Sequence, residues 1–315
     1  MIIKKIDEFQ PGEKVDGFFL IRNMEKKTSA NGKEYYDMTV IDDTGSINTK
    51  IWEAEKGKGI EVNDFVKIRG EITLWRDFKQ FKVHKIRKVN EEDNVDIEDY
   101  IQSAPYKGAD MLDTIMNYID GFKNEDIKKL TKTIVNSKAE KLLYYPAAKE
   151  NHHSIRSGLL YHILRMIKSA EKLIEVYTDL NSDLVFSGVI LHDLAKIEEM
   201  DANELGIVSD YTKEGKLLGH IIQGIKEIDR VSKELEIDEE ISILIQHMIL
   251  SHHYYPEYGS PKFPMIPEAE LLHYLDIIDA RLYDMDKAIS DLEIGQFSPR
   301  IWTLDNRQVY KRKDI

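Results

Sequence analysis

The sequence predicts a multi-domain protein of α and β structure, an N-terminal five-stranded β-barrel followed by an all-α helical bundle. Its 315 residues are too many for one ordinary hydrophobic core. Residues 12–89 hold short apolar runs separated by turn signals, which is the pattern of strands. From about residue 155, apolar residues recur with the helical period instead. We therefore place a barrel at residues 1–90, a linker at 91–110 and a helical domain at 111–315.

Five short strands account for the first 90 residues. Alternating apolar residues indicate the second strand, and Asp43-Thr44-Gly45 is a turn signal directly before the third. The strands are predicted at residues 15–21, 35–41, 47–52, 65–74 and 81–89. A small closed barrel of this kind is most often the oligonucleotide-binding (OB) fold, which holds single strands on one face and in its loops.

The charge distribution favours a polyanion at one end of the chain only. The net charge of −13 argues against phosphate binding by the protein as a whole. Residues 1–90, however, contain 18 basic and 15 acidic residues, and within residues 67–90 eight are basic and two acidic. Residues 91–315 carry a net charge of −16, so their surface repels phosphate unless cations are bound to it.

Aromatic and basic residues of the barrel are candidate contacts to single strands. The aromatic residues, which can stack on bases, are Tyr35, Trp52, Trp75 and Phe78. The candidates for contacts to the nucleic-acid backbone are Lys79, Lys82 and Lys85. Two alternatives stay open, because about half of the aromatic residues could fill the barrel core and because barrels of this shape also bind proteins.

An acidic linker and then a helical bundle follow the barrel. Residues 91–99 contain six acidic and no basic side chains, which indicates a solvated segment. Residues 111–119 and 127–135 are predicted as short amphipathic helices. The bundle core of five or more helices spans about 155–290, and residues 184–194 are apolar on nearly all sides, as in a central buried helix. No strand is predicted between these helices.

Histidine and aspartate recur on successive helices of the bundle. The set comprises His162, His192, Asp193, His220, His252, His253, Asp276 and Asp279. One histidine among apolar neighbours is usually a hydrogen-bonded core residue, but a buried carboxylate without a partner is costly. A metal site explains the whole set, because imidazole and carboxylate suit Mn, Fe, Co, Ni and Zn. The chain has no cysteine, which excludes disulfides, thiolate metal sites and cysteine nucleophiles.

These residues resemble the signature of the HD-domain metal phosphohydrolases. The single-metal signature is matched by His162, His192-Asp193 and Asp276, and His220 and His252 match members that hold two metals. The resemblance is closer to the YhaM family of bacterial 3′-to-5′ exoribonucleases, which join an OB-fold barrel to an HD domain in this order. It runs from residue 12 to residue 310 and is carried by GVILHDLAK (188–196), YTKEGKLLGH (211–220), MILSHH (248–253) and GSPKFP (259–264).

The resemblance implies a two-metal site. One metal would be held by His162, His192, Asp193 and Asp276. The second would be held by His220 and His252, with Asp193 as the bridge and His253 as the alternative to His252. Mn²⁺ is the expected metal, with Co²⁺, Fe²⁺, Ni²⁺ and Mg²⁺ as alternatives. Two metals about 3.5–4 Å apart can activate a water and hold both oxygens of a phosphodiester displacement.

Further residues receive roles around this site. Asp193 and Lys196 are the predicted catalytic residues, and Lys196, one turn after His192, can meet a phosphate oxygen. Asp279 can share a helix face with Asp276. We expect Asp279 to support the metal ligands and to be one of the residues that bind the substrate. His153 and Arg156 are candidate substrate contacts, with a solvated surface role as the alternative. A structural role is predicted for His247.

The resemblance implies a metal-dependent 3′-to-5′ exoribonuclease that degrades single-stranded RNA, or single-stranded DNA, to nucleoside 5′-monophosphates. Two alternatives are a phosphohydrolase of free or cyclic nucleotides and a nucleic-acid-binding regulatory module with a degenerate HD domain. No apolar run is long enough to span a bilayer, and the first residues lack the apolar core of a signal peptide. We expect a cytoplasmic protein with no membrane partner, and a homo-oligomer is an open alternative.

Overall fold

The computed structural model describes residues 3–29, 31–76, 78–149, 153–290 and 292–314. The chain divides into two compact units, Met1–Ser103 and Ala104–Ile315. This division falls inside the predicted linker of residues 91–110, whose bounds stay a prediction. Among the described residues, no helix is both long enough and apolar enough to cross a lipid bilayer.

The first unit is a closed barrel of five strands, and the predicted OB-type fold is confirmed. The strands are β1 (Lys14–Thr28), β2 (Glu34–Ile41), β3 (Ser46–Ile51), β4 (Phe65–Trp75) and β5 (Phe78–Lys88). They hydrogen-bond in the order β1-β2-β3-β5-β4, and β1 pairs with β4 to close the barrel. The β3–β5 pair is parallel, whereas the other neighbouring strands are antiparallel.

Strand β1 continues well beyond its predicted end at residue 21. Its buried residues stop at Ile21, and the following residues up to Thr28 are mostly charged and exposed. Their backbone nevertheless pairs with β2, from Met24 opposite Met38 to Thr28 opposite Glu34. Backbone pairing outside the core leaves no trace in the hydropathy pattern, which is why the sequence predicts a shorter strand.

Side chains fill the interior of the barrel. The rings of Phe9, Phe19 and Phe81 are fully buried, with centroids 5.6 to 6.0 Å apart. Next to them, β4 and β5 approach so closely that a Cβ on Gly70 would lie 2.2 Å from the carbonyl oxygen of Lys82. A packed interior of this kind leaves only the outer surface and the loops for a nucleic acid.

The acidic segment after the barrel is held against it. Asp93 lies 2.6 Å from the Arg87 guanidinium and 3.4 Å from Lys67 Nζ. The ring of Tyr100 packs on Phe18 and on Phe65. This part of the segment, which its charge predicts to be solvated, therefore has fixed contacts within the first unit.

The second unit is a helical bundle with one short hairpin. Its helices are α1 (Gly108–Asp120), α2 (Glu125–Leu142), α3 (Gly158–Val176), α4 (Ser182–Leu191), α5 (Lys196–Glu199), α6 (Lys213–Leu235), α7 (Glu239–Ser251) and α8 (Pro267–Ile289). The prediction that no strand lies among them is wrong, because β6 (Met200–Ala202) and β7 (Val208–Tyr211) pair antiparallel. Strands of three and four residues are too short to produce a recognisable alternation.

Helix α4 is the central helix, as its apolar sequence predicts. It packs against α1, α2, α3, α7 and α8. Its first turn is capped by Asn181, whose side chain accepts the backbone N–H groups of Asp183 and Leu184. His192 and Asp193 follow its last residue, so the pair lies among the helices that carry the other candidate ligands.

Candidate metal centre

His192 and His252 are held by the same local geometry at the ends of α4 and α7. Each ring donates from Nδ1 to the carbonyl oxygen three residues earlier, at 2.8 Å to Val189 and at 2.7 Å to Ile249. Because a carbonyl oxygen only accepts, Nδ1 carries the proton and Nε2 keeps its lone pair. Both rings are buried. The backbone therefore sets both imidazoles in the form that binds metals.

His162, on α3, is oriented by two carboxylates of α8. Its Nδ1 lies 2.8 Å from Asp279 Oδ2, and its Nε2 lies 3.3 Å from Asp276 Oδ1. Burial lowers the pKa of His162, but the hydrogen bonds with Asp276 and Asp279 outweigh burial and raise the pKa to about 9. Surroundings that attract a proton this strongly also attract a metal cation.

Asp193 lies at the centre of the cluster. Its Oδ2 is 3.3 Å from His192 Nε2 and 2.7 Å from Lys196 Nζ. Its Oδ1 is 3.3 Å from His220 Nε2 and 3.9 Å from His252 Nε2. Burial raises the pKa of Asp193, but the positive charge of Lys196 opposes burial, and this pKa lies well below its ordinary value. One ionised carboxylate thus faces different imidazoles with its two oxygens.

A break in α6 brings His220 to Asp193. The break is at Gly219, whose φ of 71° and ψ of 164° are non-helical and are readily adopted only by glycine. Directly after it, Glu199 Oε1 accepts the backbone N–H of His220 at 3.1 Å and lies 3.2 Å from its Nδ1. The ring of His220 therefore presents Nε2 to Asp193.

Among the described residues, the candidate ligand atoms form three groups, and in each group one atom from every side chain lies within 4.8 Å of the others. One group is His153 with His162 and Asp279. The two groups nearest to Asp193 are Asp193 with His220, His252 and His253, and His162 with His192 and Asp193. The Nδ1 of His253 lies 2.6 Å from the Tyr258 carbonyl oxygen, so its Nε2 is available too. Asp193 belongs to both groups, which is the position of a bridging carboxylate.

The donors present fit divalent cations. Among the described residues, His192 Nε2, Asp193 Oδ1, His220 Nε2 and His252 Nε2 are buried without a hydrogen-bond partner. Each buried unsatisfied group costs on the order of 1–3 kcal/mol, and a cation bound between them removes that cost. Imidazole and carboxylate donors without thiolate suit Mn²⁺, Fe²⁺, Co²⁺, Ni²⁺ and Zn²⁺.

The other predicted site residues of this unit have contacts of their own. His153 is buried and its Nε2 lies 2.7 Å from Asp279 Oδ2, so it is not the solvated surface residue of the alternative prediction. Arg156 is half-buried, and its Nε donates to a backbone carbonyl oxygen at 3.3 Å. The Nε2 of His247 accepts a backbone N–H at 2.8 Å. The substrate contacts of His153, Arg156 and Asp279 stay predictions.

Two charged residues, one in contact with a candidate ligand and one in contact with Asp279 behind the ligands, are absent from the sequence prediction. Arg165 donates from Nε to Asp279 Oδ1. It lies three residues after His162, so the helical spacing could have identified it. Glu199 contacts His220 only because α6 breaks at Gly219, and no periodicity in the sequence indicates that break.

The outer surface of the barrel carries the predicted aromatic residues. The rings of Tyr35 and Trp52 stack with centroids 4.9 Å apart, and Lys50 Nζ lies 5.5 Å from the Tyr35 ring centre. Trp75 and Phe78 face each other at the end of the β4–β5 ladder and are 63% and 77% exposed. The alternative in which about half of these rings fill the barrel core is wrong, since Tyr35 is half-buried and the other three are exposed.

Two of the three predicted lysine contacts of the barrel, Lys79 and Lys82, differ in their surroundings. Lys82 is exposed on β5, where it pairs in register with Lys50 of β3. Lys79 is also exposed, but its Nζ donates to the carbonyl oxygen of Phe9 at 2.7 Å. Lys82 is therefore the better placed of the two for a phosphate group.

This chain is similar to known proteins along nearly its whole length. A family model described as HD domain matches residues 159–281. The 3′-5′ exoribonuclease YhaM of Bacillus subtilis (strain 168) is 39% identical over 302 residues, which are 95% of this chain and 95% of that protein. The protein of the same name from Bacillus licheniformis has the same identity over the same shares.

Among solved structures, the second OB-fold domain of replication protein A from Methanococcus maripaludis covers 28% of this chain and 96% of its own, with a TM-score of 0.25 and 17% sequence identity. The family assignment depends on the two Bacillus relatives, which match this chain over nearly their full length. The resemblance predicted from the motifs is confirmed: the chain belongs to the YhaM family of 3′-5′ exoribonucleases.

Proposed function

We propose that this protein is a metal-dependent 3′-to-5′ exoribonuclease that shortens single-stranded RNA and releases nucleoside 5′-monophosphates. The observation that carries the proposal is the position of Asp193, whose two oxygens face different imidazoles. The two Bacillus relatives of this chain are named for this activity. The proposal includes a cytoplasmic location, where we expect the RNA substrate.

The proposed site holds two Mn²⁺ ions. One ion would be bound by His162, His192, Asp193 and Asp276. The other would be bound by Asp193, His220 and His252, with His253 as the alternative to His252. When bound, such a pair supplies an activated water and stabilises the attacking and leaving oxygens of a phosphodiester.

The side chains of the protein would position the metal ions and the phosphate group of the substrate. Asp193 keeps the two ligand groups together, because each of its oxygens contacts a different imidazole. Lys196 places its ammonium group 2.7 Å from Asp193 Oδ2, where the charge can pair with a phosphate oxygen. Neutral imidazoles add no negative charge, so the loaded site attracts phosphate although the unit as a whole is acidic.

The barrel would hold the strand that is being degraded. The stacked pair Tyr35 and Trp52 and the exposed pair Trp75 and Phe78 offer flat apolar surfaces to bases. Stacking tolerates any base, which suits an enzyme that proceeds through successive nucleotides. The exposed Lys82 adds charge for the sugar–phosphate backbone.

The test uses RNA labelled at its 5′ end, with a single-stranded 3′ overhang beside a stable stem, and purified protein with Mn²⁺. We expect a ladder that shortens to the stem, together with nucleoside 5′-monophosphates. Internal fragments, or label released as mononucleotide at the first time point, would contradict the proposed direction. Matched DNA and free or cyclic nucleotides are assayed in parallel. Hydrolysis of the nucleotides without shortening of the RNA would replace this proposal with a nucleotide phosphohydrolase.

A further inference from the structure

The junction between α5 and α6 is built closely around Glu199, the last residue of α5. Thr212, at the N-cap of α6, donates its backbone N–H to the Glu199 carbonyl oxygen at 2.9 Å. Its hydroxyl donates to the carbonyl oxygen of Glu198 at 2.7 Å. One turn into α6, a Cβ on Gly215 would lie 2.1 Å from the Glu199 carbonyl oxygen. Only glycine allows the first turn of α6 to lie this close to α5.

The break at Gly219 starts a second helical segment, and Glu199 caps it. The backbone N–H of His220, the first residue after the break, donates to Glu199 Oε1 at 3.1 Å. An N-cap residue normally supplies this acceptor from the same helix, whereas here a side chain of another helix supplies it. A carboxylate is favoured at this end of a helix because the exposed N–H groups carry positive partial charge.

The same carboxylate oxygen also lies 3.2 Å from Nδ1 of the His220 ring. One atom therefore contacts both the backbone and the imidazole of one residue. The Glu199 side chain is 14% exposed, and the side chain of His220 is 11% exposed. With Nδ1 directed at Glu199, the ring has its Nε2 3.3 Å from Asp193 Oδ1.

We infer that Glu199 is a positioning residue for the second metal ion, which it serves by fixing the orientation and tautomer of His220. The inference rests on the proposed two-metal function and concerns one of its two ions. His192, His252 and His253 donate from Nδ1 to backbone carbonyl oxygens. His220 differs from these three histidines, because its Nδ1 contacts the side chain of Glu199. A mutation can remove this side chain, whereas it cannot remove a backbone carbonyl oxygen.

The effect of Glu199 is specific to one ion. A group that orients a metal-binding histidine typically contributes about 10- to 100-fold to metal affinity. We expect Glu199→Ala to weaken the site at His220 by about that factor. Among the described residues, the Glu199 side chain hydrogen-bonds to His220, so the affinity of the site at His162, His192 and Asp276 should stay unchanged. Glu199→Gln keeps an oxygen at the same position, so it should recover most of the lost affinity.

The experiment is a Mn²⁺ titration of the full-length, chelator-treated protein. Calorimetry monitors binding, and electron paramagnetic resonance detects the signal of a coupled Mn²⁺ pair. The variants are Glu199→Ala, Glu199→Gln and Gly219→Ala, which is strained at a φ of 71°. Glu198→Ala is the matched control, because this neighbouring carboxylate binds Lys138 instead. Thermal unfolding without metal is recorded for every variant.

We expect two binding events and a coupled signal for the wild type and for Glu198→Ala. Glu199→Ala and Gly219→Ala should leave one event unchanged, weaken the other and lose the coupled signal. If Glu199→Ala weakens both binding events equally and lowers the unfolding temperature, Glu199 only supports folding. Unchanged metal binding by Glu199→Ala would also overturn the inference. A wild-type protein that binds no metal would instead contradict the proposed function.

Discussion

The carboxylate of Asp279 and the imidazole of His162 are joined by a hydrogen bond of 2.8 Å between Oδ2 and Nδ1. The same oxygen lies 2.7 Å from His153 Nε2, and the other oxygen accepts from Arg165. Burial raises the pKa of Asp279, but the hydrogen bonds with His153 and His162 outweigh burial and hold this pKa well below its ordinary value. Asp279 is therefore an ionised, nearly buried hub behind a candidate metal ligand.

Removing this hub should destabilise the helical unit. We expect Asp279→Ala to lower the free energy of unfolding by about 3–5 kcal/mol, because it leaves the charge of Arg165 partly buried and uncompensated. Urea denaturation of the metal-free protein measures the change. Lys172→Ala removes an ion pair with Glu175 in which both side chains are more than half exposed, and it should change stability by less than about 0.5 kcal/mol. A loss no larger than that of the control would contradict the role of Asp279.

Asp193 should be required for both metal ions. The wild type should take up about two Mn²⁺ ions per chain, and Asp193→Ala should lose binding and RNA hydrolysis together, because its two oxygens serve both ligand groups. Elemental analysis after desalting measures the uptake. Asp210→Ala, in which an exposed carboxylate is removed, is the control and should bind normally. Absence of metal in the wild type, with full activity in a chelator, would rule out the metal site.

The exposed rings at the end of the β4–β5 ladder should contribute to RNA binding and not to chemistry. Stacking on an aromatic side chain is worth about 1–3 kcal/mol per base. We expect Trp75→Ala or Phe78→Ala to raise KM for a long single-stranded RNA on the order of 10-fold, with little change for a dinucleotide. Steady-state kinetics on the long RNA and on the dinucleotide measures both KM values and so tests this expectation. Trp302→Ala, an 81% exposed ring in the other unit, should leave both unchanged, and an equal loss on both substrates would mean that the rings support folding.

Lys82 should contribute one phosphate contact. Because each neutralised phosphate releases counterions, Lys82→Ala should weaken binding of all sequences alike and reduce the salt dependence by about one unit of slope. Lys79→Ala should have a smaller effect on that slope, since its ammonium group already binds the Phe9 carbonyl oxygen. Fluorescence anisotropy with single-stranded RNA at several salt concentrations compares the two variants. An unchanged slope for Lys82→Ala would exclude the contact.

The sequence predicts the parts of this protein that depend on local periodicity. The five strands follow from alternation and turns, and the buried helix α4 follows from its continuous apolar residues. The positions of His192 and His252 at helix ends could also be read from the pattern. In contrast, the polar end of β1 is stabilised by backbone pairing with β2, which hydropathy does not register.

The supporting contacts of the site were harder to predict because they join distant segments. Glu199 is 21 residues from His220 along the chain, and their contact depends on the unusual backbone of Gly219. Asp279 is separated from His162 by 117 residues. The motifs identify candidate ligands, but only the packing of α3, α5, α6 and α8 identifies the groups that orient them.

The groups that anchor the histidines also determine which substitutions can change metal affinity without replacing a ligand. His192 and His252 are tied to backbone carbonyl oxygens, which every residue type provides, so neighbouring substitutions leave their orientation intact. His162 and His220 are tied to carboxylates. In the proposed two-metal site, conservative substitutions at Asp279 and at Glu199 would therefore each tune the affinity for one ion.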